Sequence, residues 1–156
     1  MLRISKITDY GIVVATHLVT CHGAHSVRVL ASETGVPIPT TSKVLKRLSQ
    51  ANVVRSQRGP HGGYLLMRPA NQVSILEVID ALEGPLAVTE CTSEDDDTSC
   101  VKAGDCNVQD NWRMINEAIR SALAGITLAE MSQPAHAGLV RLARSSMEAV
   151  RLRDAE

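Results

Sequence analysis

The sequence predicts a mainly α-helical fold with one small β-hairpin, and three observations support this prediction. Apolar residues recur at helical spacing through most of the chain, and only two short stretches, residues 53–57 and 63–68, have the pattern of strands. Hydrophobic residues make up 44% of the 156 residues, although Phe is absent. A core of Leu, Val, Ile, Ala and Met is therefore expected, in one substantial domain or in a small domain with a long dimerising helix.

Three helices are expected before the first strand pattern. Their predicted extents are residues 7–21, residues 26–33 and a third helix from about Thr40. Ser5 or Thr8 caps the first helix, and Gly35 ends the second before two prolines turn the chain. Cys21, at the end of the first helix, is interpreted as a small buried core residue.

The second and third helices have the pattern of a helix-turn-helix. Apolar residues face one side of the third helix, and Lys43, Lys46 and Arg47 face the other. The start of such a helix enters the major groove of DNA, where these residues could reach bases or phosphates: Thr40, Thr41, Ser42 and Lys43. The same pattern is also typical of an ordinary three-helix core with a solvated basic face.

The two strand patterns are joined by Arg58-Gly-Pro-His-Gly62, which predicts a hairpin with a glycine-rich tip. A helix-turn-helix followed by a hairpin is a winged helix. Arg58 is expected to enter a minor groove, with Arg55, Ser56 and His61 near the phosphates. A tight turn or a phosphate cradle for a nucleotide is the alternative, but the Lys-Ser/Thr pair of a P-loop is missing. His61 is interpreted as a turn or phosphate-contact residue rather than a metal ligand.

The charge of the chain is unevenly distributed. Residues 1–72 contain nine Lys or Arg and two acids, a balance of +7, whereas residues 73–110 contain one Lys and ten acids, a balance of −9. Residues 111–156 are nearly neutral, at +1. A basic first part on a protein of net charge −1 is a candidate polyanion-binding face, which favours double-stranded DNA as the partner.

A fourth helix is expected over residues 73–82. It begins with the capping pattern Ser74-Ile-Leu-Glu77 and closes at Gly84. The acids along it are interpreted as a solvated face: Glu77, Asp80 and Glu83.

A long amphipathic helix is expected after residue 110. Its apolar positions are Trp112, Ile115, Ala118, Ile119, Ala122 and Leu123. Such a stripe outside a winged-helix core needs a second surface to cover it, and the same helix of a second subunit is the usual solution, so a homodimer is predicted. Residues 126–130 predict a short capped helix that packs back, and residues 137–156 a weak helix or a frayed tail.

These patterns divide the chain into four parts. They are a winged helix-turn-helix domain over residues 1–84, a cysteine-containing loop over 85–110, a dimerisation helix and short helix over 111–133, and a tail over 134–156.

Three cysteines lie within sixteen residues: Cys91, Cys100 and Cys106. Four carboxylates at positions 94–97 exclude a packed helix or strand there, so the thiols lie in an acidic loop. Structural zinc sites favour Cys-x2-Cys pairs, which this spacing lacks. Fe–S clusters tolerate irregular spacing, and a disulfide with a spare thiol would make a thiol switch. Iron–sulfur, thiol-switch and, less favoured, zinc chemistry all remain open.

Several function classes are disfavoured by absent patterns. The sequence has no leading apolar run with a cleavage site and no stretch long enough to cross a bilayer, so a cytoplasmic protein without a membrane partner is expected. A nucleophile elbow, paired catalytic carboxylates and a dinucleotide fingerprint are missing, so neither an enzyme nor a small-molecule substrate is predicted. An Fe–S electron-transfer protein is the alternative from another class, but it has no use for a basic winged region.

The chain resembles a known family at four segments. They are Leu2-Arg-Ile-Ser-Lys-Ile-Thr-Asp9-Tyr-Gly, the run from Leu45 to Val54, the wing Arg58-Gly-Pro-His-Gly-Gly-Tyr-Leu-Leu and the helix Ile75-Leu-Glu-Val-Ile-Asp-Ala-Leu-Glu-Gly. With three following cysteines, these segments resemble the bacterial Rrf-type-two regulators, relatives of IscR and NsrR. The opening segment is most similar to the branch that regulates SUF-system Fe–S assembly.

This resemblance implies a homodimeric winged-helix repressor or activator. It would bind an Fe–S cluster through Cys91, Cys100 and Cys106 of each subunit, with 2Fe–2S as the first expectation and 4Fe–4S as the alternative. It would control Fe–S assembly genes in response to cluster status, oxidants or nitric oxide.

The resemblance leaves the fourth cluster ligand open. IscR-like proteins have a histidine three residues after the third cysteine, where this chain has Gln109. NsrR-like proteins use an aspartate of the first helix that ligates the partner's cluster, and Asp9 stands there in this chain. The alternative is that Asp9 only stabilises the positive end of that helix, and His25 and the loop carboxylates are weaker candidates.

Overall fold

A computed structural model of the chain describes residues 4–89, residue 92 and residues 106–134. In chain order the elements are α1 (Lys6–Thr20), α2 (Val27–Thr34), α3 (Ile38–Gln50), β1 (Val54–Gln57), β2 (Gly63–Leu66), a 3-10 turn (Ala70–Gln72), α4 (Ile75–Glu83), α5 (Gln109–Ala124) and α6 (Leu128–Met131). The predicted fold class, mainly helical with a small hairpin wing, is confirmed. The described residues include no helix long and apolar enough to span a membrane.

Local capping explains where most helices begin. The hydroxyls of Ser5, Ser26, Ser74 and Thr127 each accept a backbone N–H in the first turn of the helix that follows, as N-caps do. α4 and α6 carry full capping boxes, completed by Glu77 and Glu130. α2 ends at Gly35, whose left-handed φ of 71° suits a residue without a Cβ.

α3 begins two residues earlier than the sequence pattern suggested. It starts at Ile38, with Pro37 as N-cap and Pro39 in the first turn. Proline is tolerated there because its fixed φ is helical and the first N–H groups have no partner inside the helix. The proline pair therefore starts the helix rather than delaying it.

The two strands form an antiparallel hairpin in which Val54 pairs with Leu66 and Gln57 with Gly63. Its second strand also bridges to the segment before α2, because the N–H and C=O groups of His25 and Tyr64 hydrogen bond at 3.0 and 2.8 Å. A Cβ on Gly63 would lie 2.3 Å from the His25 carbonyl, so this close approach requires glycine. The hairpin is thus attached to the segment before α2 through the start of its second strand, next to the turn.

A single apolar core joins the helices of the first part of the chain to α4 and α6. Fully buried aliphatic side chains from these helices and β1 form it: Val14, Ala15, Leu30, Val44, Leu45, Leu48, Val53, Val54, Val73, Val78, Leu82 and Leu128. Leu128 lies in this core, and Thr127 forms an isolated bridge with Ser74, so α6 packs back as predicted. The core therefore includes a segment beyond the predicted boundary at residue 84.

Candidate nucleic-acid interface and cysteine site

The exposed side of α3 carries most of the predicted recognition residues. Ser42, Lys43 and Lys46 are exposed and Thr40 is partly exposed, while Val44, Leu45 and Leu48 anchor the opposite side in the core. Among the described residues, neither lysine forms an ion pair. A helix fixed by its apolar side and free on its basic side has the form needed to enter a major groove.

Two residues that were predicted to contact DNA have structural contacts in the protein instead. Thr41 is completely buried, and its hydroxyl donates to the carbonyls of Val36 and Pro37, each at 3.2 Å. Arg47 is half-buried and its guanidinium donates to the carbonyl of Leu82 at the end of α4. The prediction for Thr41 is wrong because its position on α3 lies on the side of the helix that faces the core. Arg47 is held against α4 rather than directed outward.

The wing presents the remaining predicted contacts. Arg55, Ser56, Arg58 and His61 are all exposed on β1 and on the turn between the strands. Gly59 has φ 123°, and a Cβ on Gly62 would lie 2.5 Å from the Gln57 carbonyl, so the tip requires glycine at both positions. The result is a narrow, cationic tip with little side-chain bulk beside the backbone.

Only part of the predicted cluster site falls within the described residues. Cys91 and Cys100 lie outside them. Cys106 is a free, half-buried thiol three residues before the start of α5, and its carbonyl accepts the N–H of Gln109 at 3.2 Å. Asp9 is exposed in the first turn of α1, where it lines an open groove with Ile4, Ser5, Lys6 and Ile12. His25, a weaker candidate, lies near the carbonyl of Gly23.

The fourth cysteine has a different environment. Cys21 is partly buried at the end of α1, and its S–H donates to the His17 carbonyl at 3.4 Å. Burial, followed by the negative charge of Glu33, raises the pKa of the Cys21 thiol. Cys21 packs against the apolar core but is only partly buried, so the prediction of a buried core residue is correct for its packing and not for its full burial.

The acids of α4 were interpreted as a solvated face; Glu83 is exposed and Glu77 and Asp80 are partly exposed, but each carboxylate also has a defined partner within the protein. Glu77 completes the capping box and pairs with Arg68 at 2.6 Å. Burial raises the pKa of Glu77, but hydrogen bonds from Arg68 and Ser74 outweigh it, so the pKa is lowered overall. Asp80 accepts the N–H of Leu86 at 2.9 Å and pairs with Arg120 at 3.4 Å.

Glu83 connects the end of α4 to the start of α1. Its carboxylate accepts the N–H of Ser5 at 3.1 Å and the hydroxyl of the buried Thr8. The hydrogen bond from Thr8, followed by that from Ser5, lowers the pKa of Glu83. We use the name α4 junction for the end of α4 and the side chains bonded to it: Ser5, Thr8, Arg47, Asp80, Leu82, Glu83 and Arg120.

Two polar residues of α5 were missed from the sequence. Asn116 is buried and accepts the N–H of Val88 at 3.1 Å, and Arg120 donates to the Leu86 carbonyl at 3.3 Å. They are four residues apart, next to the apolar stripe that ends at Leu123, and this spacing in the sequence could have indicated that both face the packed side of α5. They fix α5 to the segment that leads from α4 toward the cysteine loop.

The fold and the two basic elements define the class of protein. A helix-turn-helix with a free cationic recognition helix and a cationic wing is a winged-helix DNA-binding module. The model of the Rrf2 family, described as an iron-dependent transcriptional regulator, matches residues 4–134. The chain therefore belongs to the Rrf2 family of DNA-binding transcription regulators.

Individual relatives agree with this assignment. Rv1287 of Mycobacterium tuberculosis, named as an HTH-type transcriptional regulator, is 30% identical over 133 residues, which are 84% of this chain and 81% of the relative. The structure of CymR, the global cysteine regulator of B. subtilis, has a TM-score of 0.65 at 25% identity and covers 85% of this chain and 97% of CymR. IscR of T. potens has a TM-score of 0.64 at 26% identity, with 83% and 85% covered.

Proposed function

We propose that this protein is a homodimeric transcription regulator whose affinity for an operator responds to an Fe–S cluster. Cys91, Cys100 and Cys106 of one subunit and Asp9 of the other hold the cluster, 2Fe–2S in the first instance and 4Fe–4S as the alternative. Three thiolates and a carboxylate are a donor set that suits iron. The regulated genes are those of Fe–S assembly, and the signal is cluster status, oxidants or nitric oxide.

The α4 junction is the observation that carries this proposal. It bonds three elements to the end of one helix: the start of α1, where Asp9 lies, the recognition helix through Arg47, and α5 through Arg120. Cys106 lies three residues before the start of α5 at Gln109. The two regions that would receive the cluster are therefore bonded to the same point as the recognition helix.

The described ligands fit such a group. The Cys106 thiol is free and partly accessible, and the exposed Asp9 carboxylate has no hydrogen-bond partner among the described residues. α5 begins at Gln109 after Val108, which provides no side-chain cap. The Gln109 N–H donates to the Cys106 carbonyl, and the next N–H groups of that first turn, which have no partner among the described residues, would favour an anionic group nearby.

When bound, the cluster supplies a redox-active and chemically labile group. The residues of the chain link the cluster to the positions of the helices. Cys106 would hold the start of α5, and Asn116 and Arg120 fix that helix to the residues that follow α4. Arg47 then relates α4 to the recognition helix. Gain or loss of the cluster would change the spacing of the two recognition helices in the dimer, which is what makes DNA affinity depend on it.

Anaerobic reconstitution with iron and sulfide tests the cluster. The wild-type protein is expected to show visible charge-transfer absorbance with matching iron and sulfide content, and Cys100→Ala to lose both. Cys21→Ser is the matched control, because Cys21 is a thiol outside the proposed ligand set, and it should leave the absorbance unchanged. Absence of the absorbance in wild type, or its persistence in Cys100→Ala, would rule out the proposed ligands.

Footprinting and affinity measurements on cluster-loaded and cluster-free protein test the switch. The two forms are expected to differ in operator affinity, and Arg120→Ala, which releases α5 from Asp80, should reduce that difference. Arg113→Ala is the control, since Arg113 is exposed and pairs only weakly with Asp110 at 3.5 Å. Equal affinities of both forms would refute switching while leaving cluster binding intact.

A thiol switch without a cluster is the second candidate. The structural likeness to CymR, a global cysteine regulator, is the observation that favours it. Under this alternative, reconstituted protein contains neither iron nor sulfide, and oxidation of the loop thiols alone changes operator affinity. Iron and sulfide analysis separates the two candidates.

An Fe–S electron-transfer protein is the candidate from another class, and salt dependence distinguishes it. A regulator that neutralises phosphates loses operator affinity steeply with salt, and Arg58→Ala should lower the logarithmic slope by about 0.9 if Arg58 contacts one phosphate. Arg113→Ala, a change of charge far from the wing in sequence, should leave the slope unchanged. A carrier would show no operator and no such slope.

A further inference from the structure

One group of potential metal ligands lies far in sequence from the three loop cysteines, where the end of α1 meets α2. Within the described residues, His17, Cys21 and Glu33 form a group in which the imidazole nitrogen, the thiol sulfur and a carboxylate oxygen all lie within 4.8 Å of one another. His17 and Cys21 are four residues apart and therefore share one side of α1. Glu33 reaches them from α2, with 2.8 Å between His17 Nε2 and Glu33 Oε2.

The separations suit a tetrahedral ion. Zinc binds sulfur at about 2.3 Å and nitrogen or oxygen at about 2.0–2.2 Å, so tetrahedral ligand atoms lie roughly 3.3–3.8 Å apart. The observed spacing, from 2.8 Å to at most 4.8 Å, brackets this range. Only small side-chain movements are needed to admit an ion between the imidazole and the carboxylate.

The chemistry of the donor set selects the kind of cation. A thiolate and an imidazole are ligands of zinc and similar borderline first-row cations, whereas calcium and magnesium need sets of oxygen ligands. One thiolate and one carboxylate together neutralise a divalent charge. His17 and Cys21 are partly buried and Glu33 is exposed, so water can supply the fourth ligand.

We propose that His17, Cys21 and Glu33 form a binding site for a zinc-class divalent cation, separate from the cysteine loop. The ion would bridge the end of α1 to α2, which is the first helix of the helix-turn-helix and contacts the recognition helix. Its binding stabilises the folded protein by mass action, because the three ligands converge only when α1 and α2 are packed together.

Cobalt binding tests the site in a full-length variant in which Cys91, Cys100 and Cys106 are all replaced by serine. This variant cannot hold a cluster, so its result does not depend on the proposed function. We expect one Co²⁺ per chain, with the visible bands of a tetrahedral ion and a thiolate-to-cobalt charge-transfer band, both removed by added Zn²⁺. Adding Cys21→Ser should abolish the charge-transfer band, and adding His17→Ala or Glu33→Gln should weaken binding at least ~10-fold.

His22→Ala is the matched control, since His22 is an exposed neighbour in sequence but not a member of the group. It should leave cobalt affinity unchanged. Thermal unfolding provides a second measurement: Zn²⁺ should raise the Tm of the triple-serine variant and should raise it less after Glu33→Gln, a conservative change at an exposed side chain. Absence of cobalt bands, or a charge-transfer band that survives Cys21→Ser, would show a surface ion pair beside a thiol and overturn the proposal.

Discussion

At the scale of single residues, Gly11 determines how closely α1 packs on α4. A Cβ at this position would lie 2.2 Å from Leu82 Cδ1, and Leu82 is only 2% exposed. We predict that Gly11→Ala lowers the free energy of unfolding by up to ~2 kcal/mol, because overpacking a core costs ~1–3 kcal/mol and the higher helix propensity of alanine offsets ~1 kcal/mol of it. Chemical denaturation of the variant and the wild type measures this difference in the free energy of unfolding.

Gly125→Ala is the control for that prediction. Gly125 has helical φ and ψ, and its added Cβ would be 3.5 Å from the nearest atom, an ordinary contact. This variant should be neutral or slightly more stable, because alanine restricts the unfolded chain. Equal stabilities of the two variants would contradict the packing argument.

The carboxylate of Glu83 makes stability depend on pH. Its hydrogen bonds from Thr8 and Ser5 lower its pKa in the folded protein below the ordinary value of 4.5. A lowered folded-state pKa contributes stability that is present above the unfolded-state pKa and is lost as pH falls through the folded-state value. We therefore expect Glu83→Gln to lower the urea midpoint at neutral pH, and the difference from wild type to shrink as pH falls below the ordinary Glu pKa and through the lower folded-state pKa.

Glu117→Gln serves as the comparison for this pH series. Glu117 is an exposed carboxylate of α5 whose hydrogen bond, to Ser121, stays within the helix. Its urea midpoint should follow that of wild type at every pH. A constant offset between Glu83→Gln and wild type across the acid range would show that charge on Glu83 is not the cause.

At the scale of elements, two nearby residues of the recognition helix have different roles: one packs in the core, and the other is available to contact DNA. Thr41 is buried and hydrogen bonded to Val36 and Pro37, whereas Lys43 is exposed. We predict that Thr41→Val lowers the free energy of unfolding by ~1 kcal/mol, the net value of a buried hydrogen bond, without changing the salt dependence of operator binding.

Lys43→Ala should have the opposite pattern. Its stability should match wild type, while its operator affinity and the slope of that affinity against salt should both fall, the slope by about 0.9 for one phosphate. Fluorescence anisotropy with a labelled operator, over a series of salt concentrations, measures both variants. Weaker operator binding by folded Thr41→Val at a fixed salt concentration would mean that the buried hydroxyl contributes to DNA binding after all.

At the scale of the whole molecule, α5 carries an apolar stripe that the described residues cover only in part. Leu123 packs against the core and Asn116 and Arg120 fix the adjacent side of the helix, but Trp112 is 37% exposed and Ile115 is 42% exposed. In the proposed homodimer this stripe meets its copy. We expect Ile115→Glu to convert the dimer to a monomer in analytical ultracentrifugation and to weaken operator binding strongly, because two half-sites are no longer bound together.

Met114→Glu is the matched control for the dimer. Met114 is 67% exposed but lies about 100° around α5 from Ile115, farther from the packed side. It should stay dimeric and bind the operator normally. If Ile115→Glu remains a dimer, the subunits associate through another surface.

Much of the local structure could be predicted because it depends on neighbours in sequence. Ser5, Ser26, Ser74 and Thr127 cap helices by reaching three residues along the chain, and the glycine-rich tip makes its turn from its own backbone. The hairpin and the basic sides of α3 and the wing follow from patterns of the same short range. Cys91 and Cys100, predicted as ligands, lie outside the described residues and stay predictions.

The errors concern side chains whose partners lie far away in the sequence. Glu83 bonds to Ser5 across 78 residues, and Asp80 pairs with Arg120 across 40. A carboxylate in an amphipathic helix looks solvated until the element beside it is known. The same reason explains the error for Arg47. The basic pattern of α3 predicted a DNA contact for it, but its guanidinium donates to the carbonyl of Leu82 instead.

The sequence by itself determined the winged helix-turn-helix and the cationic surface of this Rrf2-family regulator, since hydrophobic period, caps and turn glycines act within a few residues. Only the tertiary structure decided which charged groups are free to bind and which hold helices together. It also brought His17 and Cys21 of α1 to Glu33 of α2. Hydrogen bonds and ligand groups act over about 3 Å, so contacts between distant segments exist only after the core has set where each helix lies.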